Sequence, residues 1–448
     1  MTGRPSRCAG VLSHSCSHGG FMDSSNRSAL KLPSGLQVLS VERRVSKRFA
    51  VSLVIRVGAR DAPVGQPTMA HLAEHLAFAG RNEPLIDKLV LHGAYVNGMT
   101  AADYTIFSIV GHADGLPLAM EFFANIVAPL QVSSEDFERE IPIMRCELVD
   151  AAPSGVSVRQ RRLDRFYSRL NKNPHWKVSV AKEQSLLSQV SLDAVRQFVG
   201  QQYVPRNAAL AVVAPNTTDE TEASVRSTFG MQETPVDRAN ANDQPIPPVA
   251  RFNWSYDTAP TVWICLHYGS NDTSPLARLV AQQIASRLGG GPEGEMFKQF
   301  RRQSGAAYNA SAECYCWFDH TSISSFVSVN KSDVHSAVAF LIDQFRNLAF
   351  EGLNQDWLDR ERTKMRRQLD VEMEDPHSMA AAMAYEALRA DQSKLLWSEE
   401  YFQLLESATE EDLQAKASSL LADENLRCFL GGNVGPILRW RIRRLVGS

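Results

Sequence analysis

Apolar residues recur along this chain in two rhythms. RFAVSLVIRVGA (48–59) and NAALAVVA (207–214) are short, nearly continuous apolar runs of strand length. LPLAMEFFANIVAPL (116–130) places its apolar residues at helical spacing instead. On this pattern, LKLPSGLQVLSV (30–41) and residues 48–59 predict a first strand pair, with Pro33-Ser34-Gly35 as the turn. MAHLAEHLAFAG (69–80) predicts a helix, and AYVNG (94–98) and DYTIFSIVG (103–111) predict strands. Ser133-Ser134, followed by Glu135 and Asp136, reads as the start of a helix running through FEREIPIMRCELVD. LDAVRQFVGQQY (192–203) and the strand at 207–214 close the unit.

The same order then returns, displaced by roughly 215 residues. TVWICLHYG (261–269) parallels the strand at 48–59, and VHSAVAFLIDQFRNLAF (334–350) parallels the helix at 116–130. DWLDRERTKMRRQLD (356–370) parallels the FERE helix. EEDLQAKASSLLADENLRCFLGG (410–432) parallels 192–214, with Asn425 in the place of Asn207. Between the copies, QETPVDRANANDQPIPPVA (232–250) holds four prolines and reads as a linker. The expectation is an α+β protein of two homologous domains, 30–231 and 251–436, each a mostly antiparallel sheet with layered helices. Residues 1–29 read as a disordered extension and 437–448 as a basic tail.

Composition narrows the functional classes. The 448 residues are 44% hydrophobic and 22% charged, with a net charge of −3, so nothing global favours nucleic acid. No apolar run approaches the ~18 residues of a membrane span. Seven scattered cysteines without a CxxC pair fit a reducing, cytoplasmic setting. The cluster Cys8, His14, Cys16 and His18 matches no common zinc module. Arg4 and Arg7 precede no continuous apolar segment, so the N-terminus is a poor signal peptide.

Candidate chemistry sits in the helix at 69–80. His71 and His75 lie one turn apart, roughly 40° around the axis, with Glu74 flanking them. Two imidazoles so placed can chelate one metal ion, and an adjacent carboxylate can act on a water there. Two incidental surface histidines would read the same way. The second copy provides a control: AQQIASRLGG (281–290) keeps the helical pattern without the His/Glu set, so building the domain does not require it. A catalytic zinc needs a third protein ligand. Glu140 and Glu147, seven apart on the next acidic helix, are candidates, although a solvated charged face explains them too. Pro142 between them predicts a kink.

HLAEH, followed 72 positions after His75 by Glu147 within EREIPIMRCE, resembles the pitrilysin family of inverted-motif zinc metallopeptidases. That family includes insulin-degrading enzyme and the mitochondrial processing peptidase. NKNPHW (171–176) is similar to its Asn-Pro-x-His segment, and LGGGPEGEMFKQFRRQSGAAY (288–308) to its Gly-rich segment ending in Ala-Tyr. No Gly-Lys-Ser/Thr follows these glycines, so a phosphate loop is excluded. The resemblance implies that His71, His75 and Glu147 bind one Zn2+ and that Glu140 orients a ligand. It makes Glu74 the general base toward water at the metal. Arg301 and Tyr308 would then hold substrate and stabilise the oxyanion. GAYVNGMT (93–100) resembles the family strand to which a peptide substrate adds, with Asn97 contacting its backbone. Gly98 stands where the family usually has Ala.

A zinc metalloendopeptidase acting on extended or small peptides is the function so implied. Half-size members carry two domains per chain where four close a chamber. The expected assembly is therefore a homodimer in which each chain lends Arg301 and Tyr308 to its partner's metal. A heterodimer with a homologous subunit and a non-catalytic scaffold remain as alternatives.

Overall fold

A computed structural model of the chain describes residues 26–151, 185–230, 250–389 and 398–447, except 64, 304, 306 and 354, together with Arg162, Arg165, Phe166 and Arg169. The cluster at Cys8–His18, the NKNPHW segment and nearly all of the expected linker lie outside the described residues.

The strands are β1 (Arg27–Lys31), β2 (Gln37–Glu42), β3 (Arg48–Ile55), β4 (Tyr95–Thr100), β5 (Thr105–His112) and β6 (Ala208–Ala214) in the first half. In the second they are β7 (Phe252–Ser255), β8 (Val262–Ser270), β9 (Ala307–Cys316), β10 (Thr321–Val329) and β11 (Leu426–Gly431). Helices α1 (Met69–Phe78), α2 (Glu83–Leu91), α3 (Leu116–Ile126), α4 (Ser134–Ala151), α5 (Leu192–Gln202) and α6 (Thr218–Phe229) belong to the first half. The second contributes α7 (Pro275–Gly289), α8 (Val334–Glu351), α9 (Gln355–Glu374), α10 (Pro376–Arg389), α11 (Ser398–Ser407), α12 (Glu410–Leu420) and α13 (Pro436–Leu445).

The two sheets share one wiring. The first runs β1-β2-β6-β3-β5-β4 and the second β7-β11-β8-β10-β9. In each, one parallel pair, β2/β6 or β7/β11, joins an otherwise antiparallel ladder. β4 and β9 are therefore equivalent edge strands. The repeat extends to a loop detail: Asn207 Nδ2 donates to Gln202 O at 3.0 Å, and Asn425 Nδ2 to Leu420 O at 3.1 Å. Each asparagine thus satisfies the carbonyl end of the preceding helix, where the backbone leaves acceptors without partners.

Three expectations change. The turn at 33–35 joins β1 to β2, and β6 lies between β2 and β3, so the two predicted segments are not direct neighbours. The first strand begins at Arg27, inside the expected extension. Residues 437–448 are not a tail: most of them form α13, which seats Leu438, Ile442 and Leu445 on the second core.

Alternation on the central strands explains why the halves adhere. Phe49, Val51, Leu53 and Ile55 of β3 face a core shared with α1 and α3, while Ala50 and Val54 face the opposite side. That opposite side is covered by α10 of the second half, through Met379, Ala380, Met383, Ala384 and Ala387. Small residues on both surfaces, such as Ala209 and Ala211 of β6, let helix and sheet approach closely. The exchange is reciprocal. Phe166 of the first half sits among Trp263, Cys265, Phe326 and Phe429 on the outer face of the second sheet. Arg162, 3% exposed, lies four residues before it and donates to Asp257 at 2.7 and 2.8 Å and to Thr261 O at 2.7 Å. Arg60 and Asp319 add a bidentate tie between the halves at 2.9 and 2.8 Å.

Candidate metal centre

The site is assembled by α1, α4 and β4. Met69, Leu72, Ala73 and Leu76 of α1 are fully buried and fix its rotation, so the arc carrying His71 and His75 turns toward α4. Gly80, two residues past the end of the helix, has a φ of +60° that suits glycine, and a Cβ there would lie 2.2 Å from Gln131 O. On α4, Ser133 Oγ accepts from the Asp136 amide at 3.0 Å while Asp136 accepts from the Ser133 amide at 2.9 Å, closing the N-terminal turn. Those bonds to Ser133 hold the Asp136 carboxyl below its usual range. The helix continues through Pro142 as far as Ala151.

Glu140 and Glu147, two turns apart, both reach the histidines despite the intervening proline. Glu147 Oε2 lies 3.3 Å from His75 Nε2 and 3.6 Å from His71 Nε2. The two Nε2 atoms are 3.3 Å apart, and one donor atom from each of the three residues falls within 4.8 Å of the others. Glu140 Oε2 lies 3.2 Å from His75 Nδ1, the ring nitrogen opposite this cluster. A carboxylate there favours a proton on Nδ1 and leaves Nε2 as the donor atom. Two imidazole nitrogens and one carboxylate oxygen, open to solvent on the Glu147 side, are a donor set that suits zinc with a position left over.

Electrostatics set these groups apart from ordinary surface residues. Burial, followed by the neighbouring His75, lowers the pKa of His71, which favours the neutral ring that ligation needs. Burial raises the carboxyl of Glu74, which is 7% exposed; the hydroxyl of Thr100, donating to Oε2 at 2.8 Å, opposes that shift. Nothing in the motif spacing points to Thr100. The available signal was alternation on β4, which sends Val96, Gly98 and Thr100 to one side and Tyr95, Asn97 and Met99 to the other. Gly98 also finds a reason: a Cβ there would come within 2.6 Å of Glu74 Oε1 and 2.8 Å of the Phe78 ring.

An open pocket of about 610 Å³ covers the group. Its lining includes His71, Glu74, His75, Asn97, Glu140 and Glu147, so six of the eight expected residues come together. Arg301 does not line it; it is exposed in a π-helical turn (Lys298–Gln303), with its guanidinium 5.3 Å above the Phe297 ring. Tyr308 lies on edge strand β9, the counterpart of β4.

Family models match both halves. Residues 37–175 match the insulinase model of peptidase family M16, and residues 189–365 match the M16 inactive domain. The chain belongs to peptidase family M16. An uncharacterised zinc protease of Rickettsia bellii is 20% identical over 78% of this chain and 84% of its own length. One from Mycobacterium tuberculosis is 21% identical over 93% and 96%. Among solved structures, a Helicobacter pylori protease superposes with a TM-score of 0.76 at 18% identity, over 91% of this chain and 99% of its own. Pitrilysin gives 0.72 at 17% identity over 95% of this chain and 49% of its own, so two copies of the M16 fold seen here correspond in length to one pitrilysin. Among the described residues no helix is long and apolar enough to cross a membrane.

Proposed function

We propose that this M16 chain is a zinc-dependent metalloendopeptidase that hydrolyses extended or small peptides in a reducing cytoplasm. The observation that carries the reading is the convergence of His71, His75 and Glu147 with the buried Glu74 beside them. Zinc, held by those three side chains, supplies Lewis acidity toward a peptide carbonyl and toward water. Glu74 takes the proton from the attacking water and returns it to the leaving amine. Thr100 fixes the carboxylate, and Glu140 fixes the ring of His75. Substrate adds along β4, the edge strand of the first sheet among the described residues, and Asn97 contacts its main chain.

Arg301 and Tyr308 act in a homodimer, each pair completing the partner chain's centre and stabilising the tetrahedral oxyanion. Support comes from the pocket, which is open and whose described lining comes from the first half alone. Mixing His71→Ala chains with Tyr308→Phe chains tests this directly. In-trans complementation restores peptide cleavage well above either parent, and a mixture no more active than its components sinks the arrangement.

A further inference from the structure

Helix α13 carries two stripes with different fates. Leu438, Ile442 and Leu445, at i, i+4 and i+7, pack on the second core and fix the helix to the domain. Arg439 lies with its guanidinium 4.0 Å above the Trp254 ring, and Arg443 lies 5.7 Å above Phe252, clamping the flank of the helix to β7. Ile437, Trp440, Arg441 and Arg444, at i, i+3, i+4 and i+7, form the opposite stripe and are exposed. Ile437 is 72% and Trp440 56% solvent-accessible, and the Arg444 guanidinium stands 4.9 Å over the Trp440 ring.

A merely solvated stripe needs neither an isoleucine nor a tryptophan. The ten residues of the helix contain four arginines and no acid, in a chain whose net charge is −3. A rigidly mounted helix with an indole, an aliphatic side chain and guanidinium groups on its outer face matches the interfacial zone of an anionic bilayer. There the indole sits at headgroup depth, the aliphatic group enters the acyl boundary and the arginines meet phosphates. We propose that the α13 face docks this protein on the surface of an anionic lipid bilayer, without insertion across it. The surface is separate from the metal centre and does not depend on the peptidase reading.

The test uses the full chain with sedimenting vesicles of phosphatidylcholine alone and of phosphatidylcholine mixed with phosphatidylglycerol. The wild type partitions onto the mixed vesicles, not onto the neutral ones, and leaves them as salt is added. Each arginine near such a surface contributes about five-fold in partitioning, so Arg441→Glu with Arg444→Glu lowers binding by at least about twenty-fold. Trp440→Ala weakens it at unchanged charge, which separates interfacial seating from simple charge attraction. An unchanged melting temperature in these surface variants shows that the fold is intact. Equal binding by wild type and the double variant overturns the proposal, as does no vesicle binding at all. Retention on immobilised polyglutamate without vesicle binding overturns it too, and assigns the face to an acidic protein.

Discussion

Replacing Arg162 by Met tests the reciprocal contacts that join the two halves. The substitution keeps an unbranched side chain against Gly431, whose hypothetical Cβ would lie 3.0 Å from Arg162 Cγ, and removes three charge-assisted hydrogen bonds. Asp257, 15% exposed at its side chain, then retains the Ala259 amide at 3.0 Å, and the carbonyl of Thr261 loses its donor. Breaking a buried pair from one side costs about 3–5 kcal/mol, and partial solvent access to Asp257 favours the lower end. For a half of roughly 200 residues, 3 kcal/mol corresponds to a fall in melting temperature of about 6–12 °C. Differential scanning calorimetry reads the effect, and a transition that splits in two would report halves unfolding separately. Asp257→Asn should cost less, because Arg162 keeps Thr261 and an amide oxygen. A shift below about 2 °C for Arg162→Met would refute the idea that this tie holds the halves together.

Glu140→Gln leaves the three candidate ligands in place but removes the charge facing His75 Nδ1 at 3.2 Å. Metal affinity, measured by competition with a chromophoric chelator, should fall about 10–100-fold while the fold is retained. His267 is buried against Ser324 and Phe166, and its pKa is driven down to about 3 by burial, then by His320 and Arg427. The unfolded chain takes up that proton near pH 6.5. Stability from this group is therefore complete above about pH 6.5 and falls as pH drops toward 3, by up to about 1.4 kcal/mol per pH unit. Urea midpoints from pH 7 to 4 should decline more gently in His267→Asn than in the wild type.

The metal centre was legible because its geometry is helical. One turn separates His71 from His75 and two turns separate Glu140 from Glu147, so spacing shows which pairs share a helix face; that the two faces meet was implied by the family resemblance, not by spacing. Pro142 suggested a kink that would part the two acids, yet α4 runs through it and both reach the histidines. The duplication was legible through period and pattern, and the shared strand wiring follows it. What stayed hidden is non-local. Nothing in PHSMAAAMAYEALR says that its Met379–Met383–Ala387 face covers the first half's sheet, because the complementary Ala50, Ala209 and Ala211 lie far away in sequence. The place of β6 between β2 and β3 is hidden for the same reason. Residues 437–448 looked like a tail because four of the twelve are arginine and none is acidic; the three apolar residues that seat α13 are spread over eight positions. Gly98 became interpretable only when Glu74 and Phe78 were found against it.

Metal content of the purified chain, measured alongside peptide cleavage for the wild type and Glu147→Gln, tests whether His71, His75 and Glu147 hold one catalytic zinc. About one zinc per wild-type chain is expected, with loss of both metal and cleavage in a variant that melts like the wild type. A wild type carrying only trace zinc would contradict it, as would a Glu147→Gln protein that keeps its zinc and cleaves peptides at the wild-type rate.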